Sequence, residues 1–251
     1  MERVEIEGEE PTPERLLSVT SAYGHFTAMQ VRGRKTRGLT LHMERLRSSN
    51  REVFDAGFDP ERTLALIGHA LGNTADASVR VYIHRGDRGP VTVVTVRPPA
   101  EVVSPIRLMS VAYLRPDPHI KHVHTDQGHS REAAQRSGFD DAVLVAPDER
   151  ISETTMANIG FLDETGVIWP DAPMLDGITK QLLELYGPDL GILIRKRPIR
   201  VSDVDGISGA FVSSARGVGR VSAIDTDEID AQEERVDALR RVYAAVPWDE
   251  I

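Results

Sequence analysis

The chain has 251 residues, 40% of them hydrophobic and 27% charged, a balance that suits a globular protein with a sizeable core. A net charge of −9 argues against nucleic acid or an anionic membrane as the main partner, and no apolar run nears the ~20 residues that cross a bilayer. The absence of cysteine excludes disulfides and thiolate metal sites; with an acidic N-terminus that lacks a signal-peptide core, it leads to the expectation of a cytoplasmic protein.

Alternation over residues 18–31 predicts strands that bend at Tyr23-Gly24. Residues 41–54 carry Leu41, Leu46, Val53 and Phe54 among polar positions and predict an amphipathic helix; a second helix is predicted over 61–71, started by Asp59-Pro60. Residues 79–83 alternate and 91–96 are rich in β-branched side chains. They predict two strands around a hairpin-type loop at 85–90. Residues 106–114 predict another strand. Arg115-Pro116-Asp117-Pro118 then reads as a stiff connector, so domains are expected at 1–115 and 116–251. In the second half, helices are predicted at 129–137, 178–186 and 231–245. Strands are predicted at 142–145, 158–162, 167–169, 192–194 and 210–214.

Of 30 basic side chains only four are lysine: Lys35, Lys121, Lys180 and Lys196. Arginine stays charged at any accessible pH, whereas a lysine can lose its proton and act as a nucleophile. Lys35 and Lys196 lie in basic, solvated runs and Lys180 in the first turn of a predicted helix. Lys121 alone stands between an extended and a helical stretch, a junction suited to a cleft. Downstream, Ile151-Ser152-Glu153 is a short extended piece ending in an acid. Leu175-Asp176-Gly177-Ile178-Thr179 turns from loop into helix, where free amides and the helix dipole favour an anion. Ser213-Ser214 ends a strand before a glycine-containing turn. Upstream, His42 and Arg45 share one helix face, and Arg45 has the fork to grip a phosphate. One amine, one carboxylate, one arginine and two anion-binding turns together match the needs of pyridoxal 5'-phosphate.

The stretch from Lys121 to Leu185 resembles the fold-type IV, class IV pyridoxal-phosphate enzymes. These include branched-chain and D-amino acid aminotransferases and aminodeoxychorismate lyase. The resemblance is carried by Lys121, Ala133-Ala134, the run Gly138-Phe139-Asp140-Asp141-Ala142, Ile151-Ser152-Glu153, Asn158-Ile159 and the run from Leu175 to Thr179. His42-x-x-Arg45-Leu46-x-x-Ser49 matches the family's N-terminal helix. It implies an α/β (α+β) fold of two domains: a small N-terminal α/β domain and a C-terminal pseudo-barrel domain, with the cofactor between them and homodimers as the usual assembly. By the same resemblance, Lys121 is the Schiff-base lysine and acid/base, forming an aldimine with the cofactor. Glu153 lies beneath the pyridinium nitrogen. Arg45, the amides of Ile178 and Thr179, and Ser214 form the phosphate cradle, and Asn158 joins the cofactor-binding set.

The implied activity is transfer of an amino group from an amino acid or amine to a keto acid. Two alternatives follow: a lyase releasing pyruvate, and a cofactor-binding relative without turnover. Many relatives have Phe-Glu-x-x-Arg where this chain reads Phe26-Thr27-Ala28-Met29-Gln30. Several aminotransferases have a tyrosine five residues after the lysine, where Asp126 stands here. Tyr23, Gln30, His122 and His124 are the candidates for the substrate side. His119, His122, His124 and His129 crowd the lysine, but their spacing matches no closed metal site and no metal is expected.

Overall fold

The computed structural model describes residues 2–123, 125–230 and 232–251. In chain order the elements are β1 (Arg3–Ile6), α1 (Pro13–Thr20), β2 (Gly24–Val31), β3 (Lys35–Thr36), α2 (Leu39–Phe54), α3 (Pro60–Leu71), β4 (Ala77–Gly86) and β5 (Gly89–Arg97). There follow β6 (Ile106–Ala112), α4 (Gln127–Arg136), β7 (Asp141–Val145), β8 (Ile151–Thr154), β9 (Asn158–Asp163), β10 (Gly166–Pro170) and α5 (Ile178–Tyr186). The last are β11 (Ile194–Arg197), β12 (Gly209–Ser214), β13 (Gly217–Ile224), β14 (Asp227–Glu228), α6 (Glu233–Ala245) and β15 (Asp249–Glu250). They gather into two compact units that are not continuous in sequence. One holds residues 1–100, 120–124 and 247–251; the other holds 101–119 and 125–246.

The first unit is an antiparallel sheet in the order β1-β5-β4-β2. Period-two alternation sends Met29, Val31, Val79 and Val81 to a core shared with Met43 and Leu46 of α2 and Ile67 and Leu71 of α3. The β4–β5 hairpin closes at Gly86 opposite Gly89, a tighter turn than the loop expected at 85–90. Residues 18–20, expected in a strand, instead end α1. Thr12 caps that helix at its Arg15 amide and Pro13 occupies its first turn, so local capping overrides the alternation read there.

Helix α2 starts after Gly38, which sits at φ 70° and offers no side-chain cap. Asp249 supplies the cap from far along the chain: its carboxylate accepts the Leu39 amide at 2.9 Å. The same C-terminal segment pairs β15 with β3, and Lys35 meets Glu250 at 2.6 Å.

The second unit is a mixed sheet in the order β11-β10-β9-β12-β13-β6-β7-β8, with β14 added to β13. Both faces are buried. Ile159, Phe161, Ile168 and Val212 join one core. Leu162, Trp169 and Phe211 join a second core with Leu183 of α5 and Val236, Leu239 and Val242 of α6. The strand expected at 192–194 lies at 194–197, where β10 fixes its register from Val167↔Ile194 to Pro170↔Arg197. Its charged residues are exposed, as an edge strand requires. β13 escaped the sequence reading because Gly217 and Gly219 interrupt its pattern. A Cβ at Gly219 would come within 2.8 Å of the Val103 carbonyl oxygen, so the close approach of two backbones dictates glycine there.

Asp249→Ala removes the α2 cap and is expected to cost about 0.5–2 kcal/mol. A lower urea midpoint at unchanged slope is the measure.

Candidate active site

In the first unit, residues 121–123 run along the outer edge of β2. The Phe26 amide donates to the Lys121 carbonyl, and the Val123 amide to the Gly24 carbonyl, both at 2.9 Å. This pairing places the Lys121 Nζ 4.9 Å from the centre of the Phe26 ring. The other lysines are committed elsewhere: Lys35 to Glu250, the buried Lys180 to Asp176 and Glu184 at 2.9 and 2.8 Å, and Lys196 to the exposed edge strand.

The neighbouring His122 is buried, and its Nδ1 shares a 2.5 Å hydrogen bond with the Tyr23 hydroxyl. His25 lies opposite His122, and burial, with the charges of His122 and His84 adding to it, lowers its pKa to about 4. On α2, Arg45 is half-buried. His42 lies one turn away with its Nδ1 2.6 Å from the Thr27 hydroxyl. Burial first, and the Arg45 charge second, lower the His42 pKa to about 3, so the ring is neutral.

In the second unit, β8 ends in a buried polar centre. Glu153 is 6% exposed and Arg115 5%. Arg115 Nε donates to Glu153 Oε1 at 3.0 Å, and its Nη2 lies 2.9 Å from the same oxygen. Arg115 also donates to the Pro118 carbonyl. Glu153 Oε2 accepts the Leu175 amide at 3.4 Å, and the Leu175 carbonyl accepts from Asn158 Nδ2 at 2.7 Å. One peptide unit on each side of Leu175 is thereby held by β8 and β9. Two residues on, Gly177 begins α5 with no side-chain cap, although Ile178 and Thr179 are buried. A Cβ at Gly177 would overlap Asn158 Oδ1, so only glycine lets the turn pass. The Thr179 hydroxyl donates to the Ser214 carbonyl at 2.7 Å, joining the helix start to the end of β12. The adjacent Ser213 hydroxyl is buried with no hydrogen-bond partner among the described residues.

Among the expected residues, Glu153, Asn158, Ile178, Thr179 and Ser214 therefore come together in the second unit. Tyr23, Lys121 and His122 come together in the first, and Arg45 lies on α2 there. Gln30 is held by its own unit, donating to the Ser78 hydroxyl and accepting the Ala100 amide, both at 3.0 Å. His119 and His129 are exposed, and His124 lies outside the described residues. Sequence reasoning missed Arg115, which it took for part of a connector. The available signal was indirect: a buried acid needs a cation, and no local pattern says which one.

An uncapped, buried helix start beside a buried carboxylate complements an anionic group on one side and a cationic nitrogen on the other. A family model described as Amino-transferase class IV matches residues 24–224, and the chain belongs to that family. The Rickettsia felis protein named "Probable branched-chain-amino-acid aminotransferase" is 28% identical over 122 residues, which span 47% of this chain and 42% of that protein. Two solved structures share the fold. The branched-chain aminotransferase of Thermoproteus uzoniensis with norvaline has a TM-score of 0.82 at 19% identity, covering 96% of this chain and 95% of that one. A hypothetical aminotransferase from Mycobacterium tuberculosis in its PLP-bound form has a TM-score of 0.82 at 20% identity, covering 98% of both. The mixed α/β, fold-type IV architecture implied by the resemblance is the one found.

Gly177→Ala is expected to cost about 1–3 kcal/mol by overpacking. Adding Asn158→Ala recovers part of that loss, so the double mutant falls short of the sum in a denaturation cycle. His42 has a folded pKa of about 3 against an ordinary 6.5, so the unfolded chain binds the extra proton. Its contribution to stability is complete above pH 6.5 and is lost as the pH falls toward 3, at up to about 1.4 kcal/mol per pH unit. Urea titrations between pH 7 and 4 are expected to show a shallower decline in His42→Gln than in the wild type.

Proposed function

We propose that this protein is a pyridoxal-phosphate-dependent aminotransferase that moves an amino group from an amino acid to a keto acid. The observation that carries the reading is the buried Glu153, paired with Arg115 and tied through Leu175 to the uncapped start of α5. That donor set fits the group: a carboxylate for its ring nitrogen, and free amides for its phosphate. The match to the class IV family supports the same conclusion.

When bound, pyridoxal phosphate supplies an electron sink conjugated to a carbon that takes up amines. Lys121 would anchor it through its amine and then carry the α-proton of the substrate, the work of a general base. Glu153 would hold a proton on the ring nitrogen. The amides of Ile178 and Thr179, with Ser214 and Arg45, would bind the phosphate, and Asn158 would hold the turn that presents those amides. Tyr23 and His122 would border the substrate. The curated relatives' name makes a branched-chain amino acid the first donor to test. A homodimer is expected from the family resemblance, and the cysteine-free chain suits the cytoplasm.

Purified protein supplied with pyridoxal phosphate is expected to turn yellow and to convert a branched-chain amino acid when given a keto-acid acceptor. Lys121→Ala is expected to lose the bound absorbance band and all turnover. Pyruvate released without an acceptor would identify a lyase instead, and colour without reaction toward any amine would identify a binding protein. A colourless active enzyme would exclude the cofactor.

A further inference from the structure

Arg115 is a basic side chain packed against Glu153 whose role the reading above leaves open. It is nearly as buried as its partner, and two of its nitrogens converge on the single oxygen Oε1. A third contact, from Nη2 to the Pro118 carbonyl, also holds the guanidinium. This is an oriented pair in a site closed to water, where screening is weak and a charge has a large effect on its neighbour. Leu175 meanwhile holds Oε2, so the carboxylate plane is fixed at both oxygens.

We infer that Arg115 is a positioning residue that keeps Glu153 ionised, so that the proton shared with a bound pyridine nitrogen resides on nitrogen. The inference rests on the cofactor reading above. A proton between a carboxylate and a pyridine has two homes: carboxylate with protonated nitrogen, or carboxylic acid with neutral nitrogen. Desolvation favours the neutral pair. A guanidinium 2.9 Å from the carboxylate stabilises the negative oxygen directly. Because it bonds the carboxylate directly, it would lie nearer to that negative charge than to a ring nitrogen bonded at another edge of the carboxylate, and so would favour the ionic pair. The proton only changes its position in the shared bond, and no other group need gain or lose one.

The test is nitrogen NMR of the full-length protein loaded with pyridoxal 5'-phosphate labelled at the ring nitrogen. The wild type is expected to show the protonated resonance at neutral pH, and Arg115→Lys, which keeps the charge, to retain it. Arg115→Met and Arg115→Gln are expected to move the resonance to the unprotonated position, as Glu153→Gln does, with cofactor affinity about tenfold weaker. Arg115→Gln keeps a hydrogen-bond donor without charge, so it separates charge from geometry and serves if Arg115→Met does not fold. A loaded Arg115→Gln or Arg115→Met protein with the wild-type resonance would overturn the inference while leaving the cofactor reading intact. A wild type that takes up no cofactor would overturn both.

Discussion

The buried pair of Glu153 and Arg115 is the constraint on which the placing of Leu175 and the start of α5 depends. Removing either partner from such a pair strands a charge away from water, at a cost of about 3–5 kcal/mol. Neither residue is therefore a free design variable. The pair sits at the end of β8, and its carboxylate reaches the backbone of Leu175. Asn158, from the start of β9, takes the other side of the same residue. Two strands thus set where α5 begins, and the helix start needs no capping side chain of its own to be placed. Its first amides have no side-chain cap among the described residues.

Two histidines of the first unit lose their charge instead of pairing it. His25 and His42 are buried and neutral, their pKa values lowered to about 4 and 3 mainly by burial. Thr27 fits this arrangement. Its hydroxyl meets His42, and a hydroxyl can pair with a neutral imidazole at either tautomer. A carboxylate in its place would favour a charged His42 beneath Arg45 and set two cations one helical turn apart. The departure from Phe-Glu-x-x-Arg at Thr27 is thus consistent with the neutral His42. Asp249, capping that helix from the C-terminal segment, puts negative charge at its start, where the dipole favours it.

Much of the secondary structure was legible. Residues 178–186 of α5 matched throughout, and α2, α3, β4, β5, β9, β10 and β12 needed changes only at their ends, because each has clear periodicity or a capping signal. The misses have local causes. Thr12 and Pro13 nucleated a helix inside an apparent alternation, and glycines hid β13. In the candidate site, the acid, the glycine turn and the hydroxyl strand end could be proposed from motif order because each is a short contiguous pattern. Arg115 could not. Its local sequence, Arg115-Pro116-Asp117-Pro118, is that of an exposed linker.

The sequence by itself determined which chemical groups exist and in what order: a scarce amine at Lys121, an acid at Glu153, a glycine-led helix start and the family they define. Tertiary structure decided which of those groups lose water together. Burial depends on pairing across distant strands, such as β9 with β12 and β6 with β13, and no local window encodes that pairing. For that reason the partner of Glu153, the anchor of Leu175 and the cap of α2 became visible only once the chain had folded.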